Sequence, residues 1–416
     1  MTSNDLPPLS NKERAVLRGL ALRVAELAAR PGEDEKRREW HRHNALRPGR
    51  PMVFCDPENG WNEIFPPGSL LCVSDLARHW EFELRIKEFY GTRMRDDRVI
   101  DNRFVLRPVA RETGWGLQTP IIGRGEGRAF TWDPPLKDLD DLSDLRVPEV
   151  IVDRQATTRL QSLAEDVFDG ALTVDVKGVW WWSLGMTQRL VYLRGLERMM
   201  LDMLENPAGF HRLMAFMRDA QLARLDRLEA DGLLCLNDGN DYVGSGGFGF
   251  TEELPAPGHD GQVRTKGMWG FCESQETLGV SPAMFEEFVF QYQLPILERF
   301  GLNCYGCCEP LDGRWEVVRR TPRLRRVSVS AWADPEKMAE CLGDRYIFSA
   351  KPNPAHLAPS TFDEAPVRRD LRRIIGATRG LPLELIMKDN HTIANDAARV
   401  CRWVEIAREE MERVAG

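Results

Sequence analysis

The sequence has no apolar run long enough to cross a membrane and no excess of basic residues. A membrane-spanning helix needs about 20 consecutive apolar residues, and the apolar runs here are far shorter, so we expect no membrane span. Among 416 residues, 56 Lys and Arg stand against 64 Asp and Glu, which gives a formal net charge of −8. Because nucleic-acid phosphates are bound by basic surfaces, this balance argues against nucleic acid as the main partner.

Signals of secretion and of dinucleotide binding are also missing. The segment Met1–Asp5 has no basic region followed by an apolar one, so we expect no secretory signal. The nine cysteines are odd in number and follow no disulfide-framework spacing. We therefore expect a cytoplasmic protein with free thiols. No GxGxxG motif follows a predicted strand, because the glycines from Gly244 to Gly249 lie in a long loop, and this disfavours a Rossmann site.

What the sequence does contain is a cysteine cluster. Three of the nine cysteines, Cys304, Cys307 and Cys308, lie within five residues, and Glu309 follows them. Thiolates beside a carboxylate at the end of a strand are typical of a metal or redox site. An unbroken strand would turn Cys307 and Glu309 to one side and Cys308 to the other, whereas a turn at Gly306 would bring both thiols together.

Three interpretations of this cluster stay open. Buried cysteines are often inert core residues. A catalytic zinc needs three protein ligands and an open position, which Cys307, a neighbour and a histidine from another strand end would provide. A redox pair of Cys304 and Cys307 ranks third, because the strand, CxxC and helix context of thioredoxins is absent.

A second polar cluster, Lys388-Asp389-Asn390-His391-Thr392, follows the apolar run from Leu381 to Met387. His391 is one of only seven histidines, and Asp389 is placed to orient it or a metal-bound water. Because carboxyl ends of parallel strands meet at one edge, we expect the two polar clusters to form one site.

The order of elements predicts an α/β fold. Apolar strand-like segments alternate with amphipathic helices, which is typical of a parallel sheet buried on both faces. Roughly eight such strands favour a (β/α)8 TIM barrel over residues 49–416, preceded by an N-terminal helical extension at 1–48. A doubly wound sheet is the alternative. A short strand at Leu233–Leu236 is part of this prediction, and the polar turn that begins at Asn237 and Asp238 follows it.

Several segments together resemble the uroporphyrinogen decarboxylase superfamily over roughly residues 50–410. The resemblance is carried by Leu193–Glu197, Glu205–Pro207, Ser281–Phe285, Tyr305–Glu309, Lys351–Pro354 and Lys388–His391. It implies a (β/α)8 barrel with the active site at the carboxyl ends of the strands. The decarboxylases of this superfamily carry an arginine-rich segment after the first strand, and Cys55–Trp61 contains no arginine. The chain is therefore more similar to the zinc-dependent methyltransferase branch, which serves corrinoid proteins, coenzyme M or thiols.

This resemblance implies zinc bound by Cys307, Cys308, Glu309 and His391. Catalytic roles are expected for Asp238, Lys351 and Lys388, and substrate contacts for Glu58, Asn237, Trp180 and Asn353. The expected activity moves a methyl group between a small molecule or thiol and a corrinoid protein. A metal-independent decarboxylase or lyase of an acidic substrate, and a non-catalytic tetrapyrrole- or corrinoid-binding barrel, are the alternatives. A homodimer is compatible with the sequence.

Overall fold

The computed structural model describes residues 8–123 and 131–415. Met1–Asp5, and with it the expected absence of a secretory signal, lies outside the described residues. Within the described part of the chain, no helix is long and apolar enough to span a membrane.

The strands of the described residues are mostly short and, in the central sheet, buried. In chain order they are β1 (Met52–Cys55), β2 (Arg103–Leu106), β3 (Ala110–Glu112), β4 (Ile121–Ile122), β5 (Thr131–Trp132), β6 (Val150–Val152), β7 (Thr173–Val176), β8 (Trp269–Cys272), β9 (Leu302–Tyr305), β10 (Leu324–Val329), β11 (Ile347–Ala350) and β12 (Leu383–Met387).

Helices precede, separate and follow these strands. They are α1 (Asn11–Ala28), α2 (Pro31–Asn44), α3 (Trp61–Ile64), α4 (Asp75–Phe89), α5 (Arg154–Phe168), α6 (Thr187–Arg194), α7 (Leu196–Glu205), α8 (Pro207–Ala230), α9 (Pro282–Phe285), α10 (Gln291–Leu297), α11 (Trp315–Val318), α12 (Pro335–Leu342), α13 (Glu364–Ala377) and α14 (Ala398–Ala415). The sequence pattern predicts helices at Pro207–Ala230 and Pro335–Leu342 and strands at Leu302–Tyr305 and Leu383–Met387. The structure confirms these bounds for α8, α12, β9 and β12.

Six strands form one parallel sheet in the order β1-β12-β11-β10-β9-β8. Cys55 lies opposite Met387, and Cys272 lies opposite Tyr305, so the carboxyl ends of neighbouring strands are level. Strands β2 and β7 form a separate parallel pair. The mixed α/β architecture is confirmed and is compatible with a barrel, although the described strands leave β1 and β8 as edges of the central sheet.

Side chains form hydrogen bonds with the backbone groups on both edges of this sheet. The Asn237 amide donates to the Trp269 carbonyl at 3.0 Å and accepts from the Trp269 N–H at 2.9 Å. On the other edge, the carboxylates of Asp97 and Asp96 accept from the N–H groups of Val53 at 2.7 Å and Cys55 at 3.0 Å. The strand predicted at Leu233–Leu236 is wrong: this segment forms no ladder, and a single side-chain amide bonds to β8 where a strand would pair.

The N-terminal helices contribute to the interior of the fold. His43, on α2, places Nε2 3.2 Å from Glu384 Oε2 at the start of β12. The neighbouring Asn44 side chain donates to the carbonyls of Phe248 and Phe250 at 2.8 Å and accepts from Arg326 Nη2 at 2.7 Å. The end of α2 is therefore bonded to charged groups inside the sheet.

Candidate active site

The carboxyl ends of β1, β9 and β12 bring together part of the chemistry-bearing side chains that the sequence predicts. Asp56 follows β1, Cys307 and Cys308 follow β9, and Lys388 and Asp389 follow β12. The parallel register places these ends at the same edge of the sheet.

Gly306 makes the turn that places both thiols in the site. Its φ is +96°, and a Cβ here would lie 2.7 Å from a Leu311 methyl and 3.1 Å from the Ser328 carbonyl oxygen. This left-handed conformation is accessible to glycine and strained for other residues. Because the strand is broken here, Cys307 Sγ and Cys308 Sγ lie 3.6 Å apart instead of on opposite faces.

The environments of the two thiols differ. Cys307 is 3% exposed, and its sulfur lies 3.4 Å from Ser245 Oγ. Cys308 is partly exposed, and its sulfur lies 3.6 Å from Asp389 Oδ2. A hydrogen bond from Cys308, helped by the charge of Lys388, lowers the pKa of the Cys307 thiol, while the pKa of Cys308 is raised well above the ordinary value. Of the two thiols, Cys307 is therefore the one that ionises more readily.

Lys388 holds a positive charge beside this pair. Its Nζ lies 3.3 Å from Glu58 Oε1 and 3.4 Å from Asp389 Oδ1. Burial alone would lower the pKa of Lys388, but Tyr242, Asp389 and Glu58 raise it above its ordinary value. Burial also raises the pKa of Glu58.

Glu309 and His391 lie outside this group. The buried Glu309 carboxylate accepts from the backbone N–H groups of Ser274 and Cys307, both at 2.9 Å, so it fixes the turn that follows β9. His391 is exposed and has no hydrogen bond or ion pair among the described residues. In the part of the chain that the structure describes, no group of three or more His, Cys, Asp or Glu is arranged to hold a metal ion.

The fit to zinc is therefore partial. Two sulfurs bound to one tetrahedral zinc lie about 3.8 Å apart, given Zn–S bonds of about 2.3 Å, and the Cys307–Cys308 separation of 3.6 Å is close to this. A catalytic zinc nevertheless needs three protein ligands. The described residues supply two sulfurs without a third ligand, and so they do not complete the predicted zinc site.

Two other predicted residues have their own partners. Lys351, which follows β11, donates to the Ser349 carbonyl at 3.1 Å and to its hydroxyl at 2.6 Å. Burial lowers the pKa of Lys351 to about 8. Asn353 accepts from the Ala355 N–H at 3.0 Å and so caps a short 3-10 helix.

A cavity of about 680 Å³ opens beside Lys388. Of the predicted residues, its lining includes Glu58, Asn237, Trp180 and Lys388. Asp238, which follows Asn237 in the chain, is half-buried but does not line the cavity. Burial raises the pKa of Asp238.

Charged residues in this cavity are mostly paired. The Lys177 Nζ contacts the Asp241 carboxylate at 2.9 and 3.0 Å, and Lys388 faces Glu58. Arg107 is exposed at the cavity and has no ion pair among the described residues. Sequence reasoning missed Lys177, although it follows β7 directly and the rule applied to β9 and β12 would have found it. It also missed Ser245, for which the glycine-rich loop gave no signal.

Comparison with known proteins gives one informative result. No protein-family model matches the chain, and no curated protein matches it. A solved structure, "methyltransferase from Methanosarcina mazei", superimposes with a TM-score of 0.50, covering 90% of this chain and 98% of that chain at 10% sequence identity. The two chains share a fold.

This methyltransferase-like fold agrees with the predicted α/β architecture. At such low identity the likeness establishes the fold and leaves the reaction to be argued from the site. Membership of the uroporphyrinogen decarboxylase superfamily stays a prediction.

Proposed function

We propose that this chain is a methyltransferase in which Cys307 is the reacting thiol. The observation that carries the proposal is the Cys307–Cys308 pair at the carboxyl end of β9, in which one thiol donates to the other beside the Lys388 ammonium. A thiolate is a strong nucleophile toward a methyl carbon. The methyltransferase-like fold supports the proposal by analogy.

The reaction is a pair of displacements. The Cys307 thiolate attacks the methyl carbon of a small donor, the S–C bond forms, and the bond from carbon to its former partner breaks. The bonding electron pair leaves with that partner, which then takes a proton from solvent. A second thiolate then takes the methyl group from Cys307, the S–C bond of Cys307 breaks, and the Cys307 sulfur leaves as the thiolate.

The proposed methyltransferase would use zinc as a cofactor and a corrinoid protein as a partner. Cys307 and Cys308 would be the sulfur ligands of zinc, and the metal would lower the pKa of a bound thiol. Because the described residues do not complete a ligand set, neither displacement is routed through a metal. A methylated corrinoid is one donor consistent with the cavity beside Lys388, and a small methylated compound is another.

The proposal is tested by following methyl transfer from methylcobalamin to a small thiol such as 2-mercaptoethanol. Wild-type protein should give the thioether, and mass spectrometry should find a methyl group on the peptide that carries Cys307. Cys307→Ser should lose the activity, whereas Cys341→Ser, which changes a partly buried cysteine on α12, should keep it. Full activity in Cys307→Ser would exclude the role given to this thiol. Zinc content of the same preparations, measured without a metal-binding tag, tests the metal separately.

A further inference from the structure

A second cavity, of about 260 Å³, borders the Trp180–Trp182 segment. These three tryptophans line both cavities. The polar lining of the second cavity combines Gln188 and Arg189 of α6 and Gln221 and Arg224 of α8 with Ser183 and two acidic residues, Glu112 and Glu273.

Arg224 is a buried cation whose hydrogen bonding is incomplete among the described residues. Arg224 is 5% exposed, and one of its guanidinium nitrogens donates to the Trp180 carbonyl. Its Nε lies 3.1 Å from Glu112 Oε1, but the alignment is not that of a hydrogen bond, so the buried Nε has no hydrogen-bond acceptor among the described residues. Burial lowers the pKa of Arg224. Arg224 is thus ion-paired with Glu112, but its Nε donor lacks a well-aligned acceptor, which a bound anion would supply.

The surrounding groups add positive charge and further donors. Arg189 is exposed and has no ion pair in the described part of the chain. Its positive charge repels that of Arg224 and lowers the pKa of Arg224. Gln188 and Gln221 have no hydrogen bond among the described residues, although Gln221 is only 8% exposed. Two acidic residues also line the cavity: Glu112 pairs with Arg224, and the buried Glu273 accepts hydrogen bonds from Ser183 and Gln275, while burial raises its pKa.

We propose that this cavity binds an oxyanion, such as a carboxylate, a phosphate or a sulfonate, between Arg189 and Arg224. Guanidinium groups bind such anions through paired N–H donors, and the amides of Gln188 and Gln221 offer further donors. Since the tryptophan segment also lines the larger cavity, the anion is assigned to the methyl donor or acceptor. This assignment to a substrate rests on the proposed function, whereas the anion site does not.

The anion site is tested by calorimetric titration with inorganic phosphate, sulfate and acetate at matched ionic strength, with chloride as the reference. Wild-type protein should bind at least one of these anions saturably. Arg189→Gln, which changes an exposed side chain, should weaken that binding about tenfold or more, equivalent to about 1.4 kcal/mol. Arg369→Gln changes an exposed arginine of α13 that has no ion pair among the described residues, and it should bind as the wild type does.

Two further variants keep the outcomes separate. Gln221→Leu should weaken binding of the same anion without removing a charge. Cys307→Ser should bind it normally, so a failure of the methyl-transfer proposal leaves this result unchanged. Absence of saturable binding in the wild type, or equal affinity in Arg189→Gln, would overturn the site. For the assignment to a substrate, Arg189→Gln should raise the KM of an anionic acceptor thiol more than that of 2-mercaptoethanol, and equal effects on both would refute it.

Discussion

At the scale of single residues, the division of roles between Cys307 and Cys308 depends on one hydrogen bond. Replacing Cys308 with Ala removes the donor that lowers the pKa of Cys307. The pKa of Cys307 then rises, a smaller fraction is thiolate at neutral pH, and the acid limb of the kcat/KM profile moves to higher pH. Cys308→Ser retains a donor and should show a smaller displacement. An unchanged profile in Cys308→Ala would contradict this assignment.

The lowered pKa of Lys351 makes the free energy of unfolding depend on pH. Its pKa is about 8 in the folded protein, against an ordinary value of 10.5. Between these values the unfolded chain binds more protons, so the free energy of unfolding rises as the pH increases from 8 to 10.5. The rise is at most about 3 kcal/mol. Urea denaturation across this range should show a rise in the wild type that is smaller in Lys351→Met, and parallel pH dependences would show that Lys351 does not titrate there.

A position directly after a predicted strand identified some residues of the candidate site correctly and also selected residues that lie outside it. Cys307 and Lys388 were found because polar groups at the ends of apolar strands share an edge. The same signal selected Glu309 and Asn353, whose side chains bind nearby backbone N–H groups. Sequence alone does not reveal whether a carboxylate or amide turns toward the cavity or toward its own backbone.

At the scale of elements, the alternation of apolar strands and amphipathic helices predicted the bounds of α8, α12, β9 and β12. The strands β2, β3 and β6 were missed because they are short and partly exposed. The segment Leu233–Leu236 has the composition of a strand. It fails to become one because Asn237 bonds to both backbone groups of Trp269, and this contact between distant residues leaves no local pattern.

The Asn237 amide should therefore carry a measurable share of stability. Asn237→Leu leaves the Trp269 N–H and carbonyl without these partners, and each unsatisfied group costs about 1–3 kcal/mol. We expect the free energy of unfolding to fall by about 2–4 kcal/mol in urea denaturation. Asn353→Ala, which removes a cap from a short exposed turn, should cost about 1 kcal/mol. A smaller loss for Asn237→Leu than for Asn353→Ala would contradict the edge role.

At the scale of the whole molecule, sequence predicted the α/β class and the parallel sheet because alternation of apolar strands and helices is a long-range pattern. It did not predict the second cavity. That cavity depends on side chains of α6 and α8 that meet only in the folded chain, and neither Arg189 nor Arg224 stands in a motif.

The charge pairing of the larger cavity predicts which substrates are excluded. Lys177 and Lys388 already face Asp241 and Glu58, which leaves Arg107 as the cavity's cation without an ion pair among the described residues. A porphyrinogen polycarboxylate would bury several unpaired charges, each costing several kcal/mol. We expect no decarboxylation of uroporphyrinogen, measured as formation of coproporphyrinogen. Robust product formation would favour the decarboxylase alternative over methyl transfer.

The side chains on the two sheet edges also bear on self-association. Exposed N–H and carbonyl groups of an edge strand can recruit a strand from another copy of the chain. Asn237 forms hydrogen bonds with such groups on β8, and Asp96 and Asp97 accept hydrogen bonds from them on β1. Without these three side chains, both edges would be open templates for intermolecular pairing.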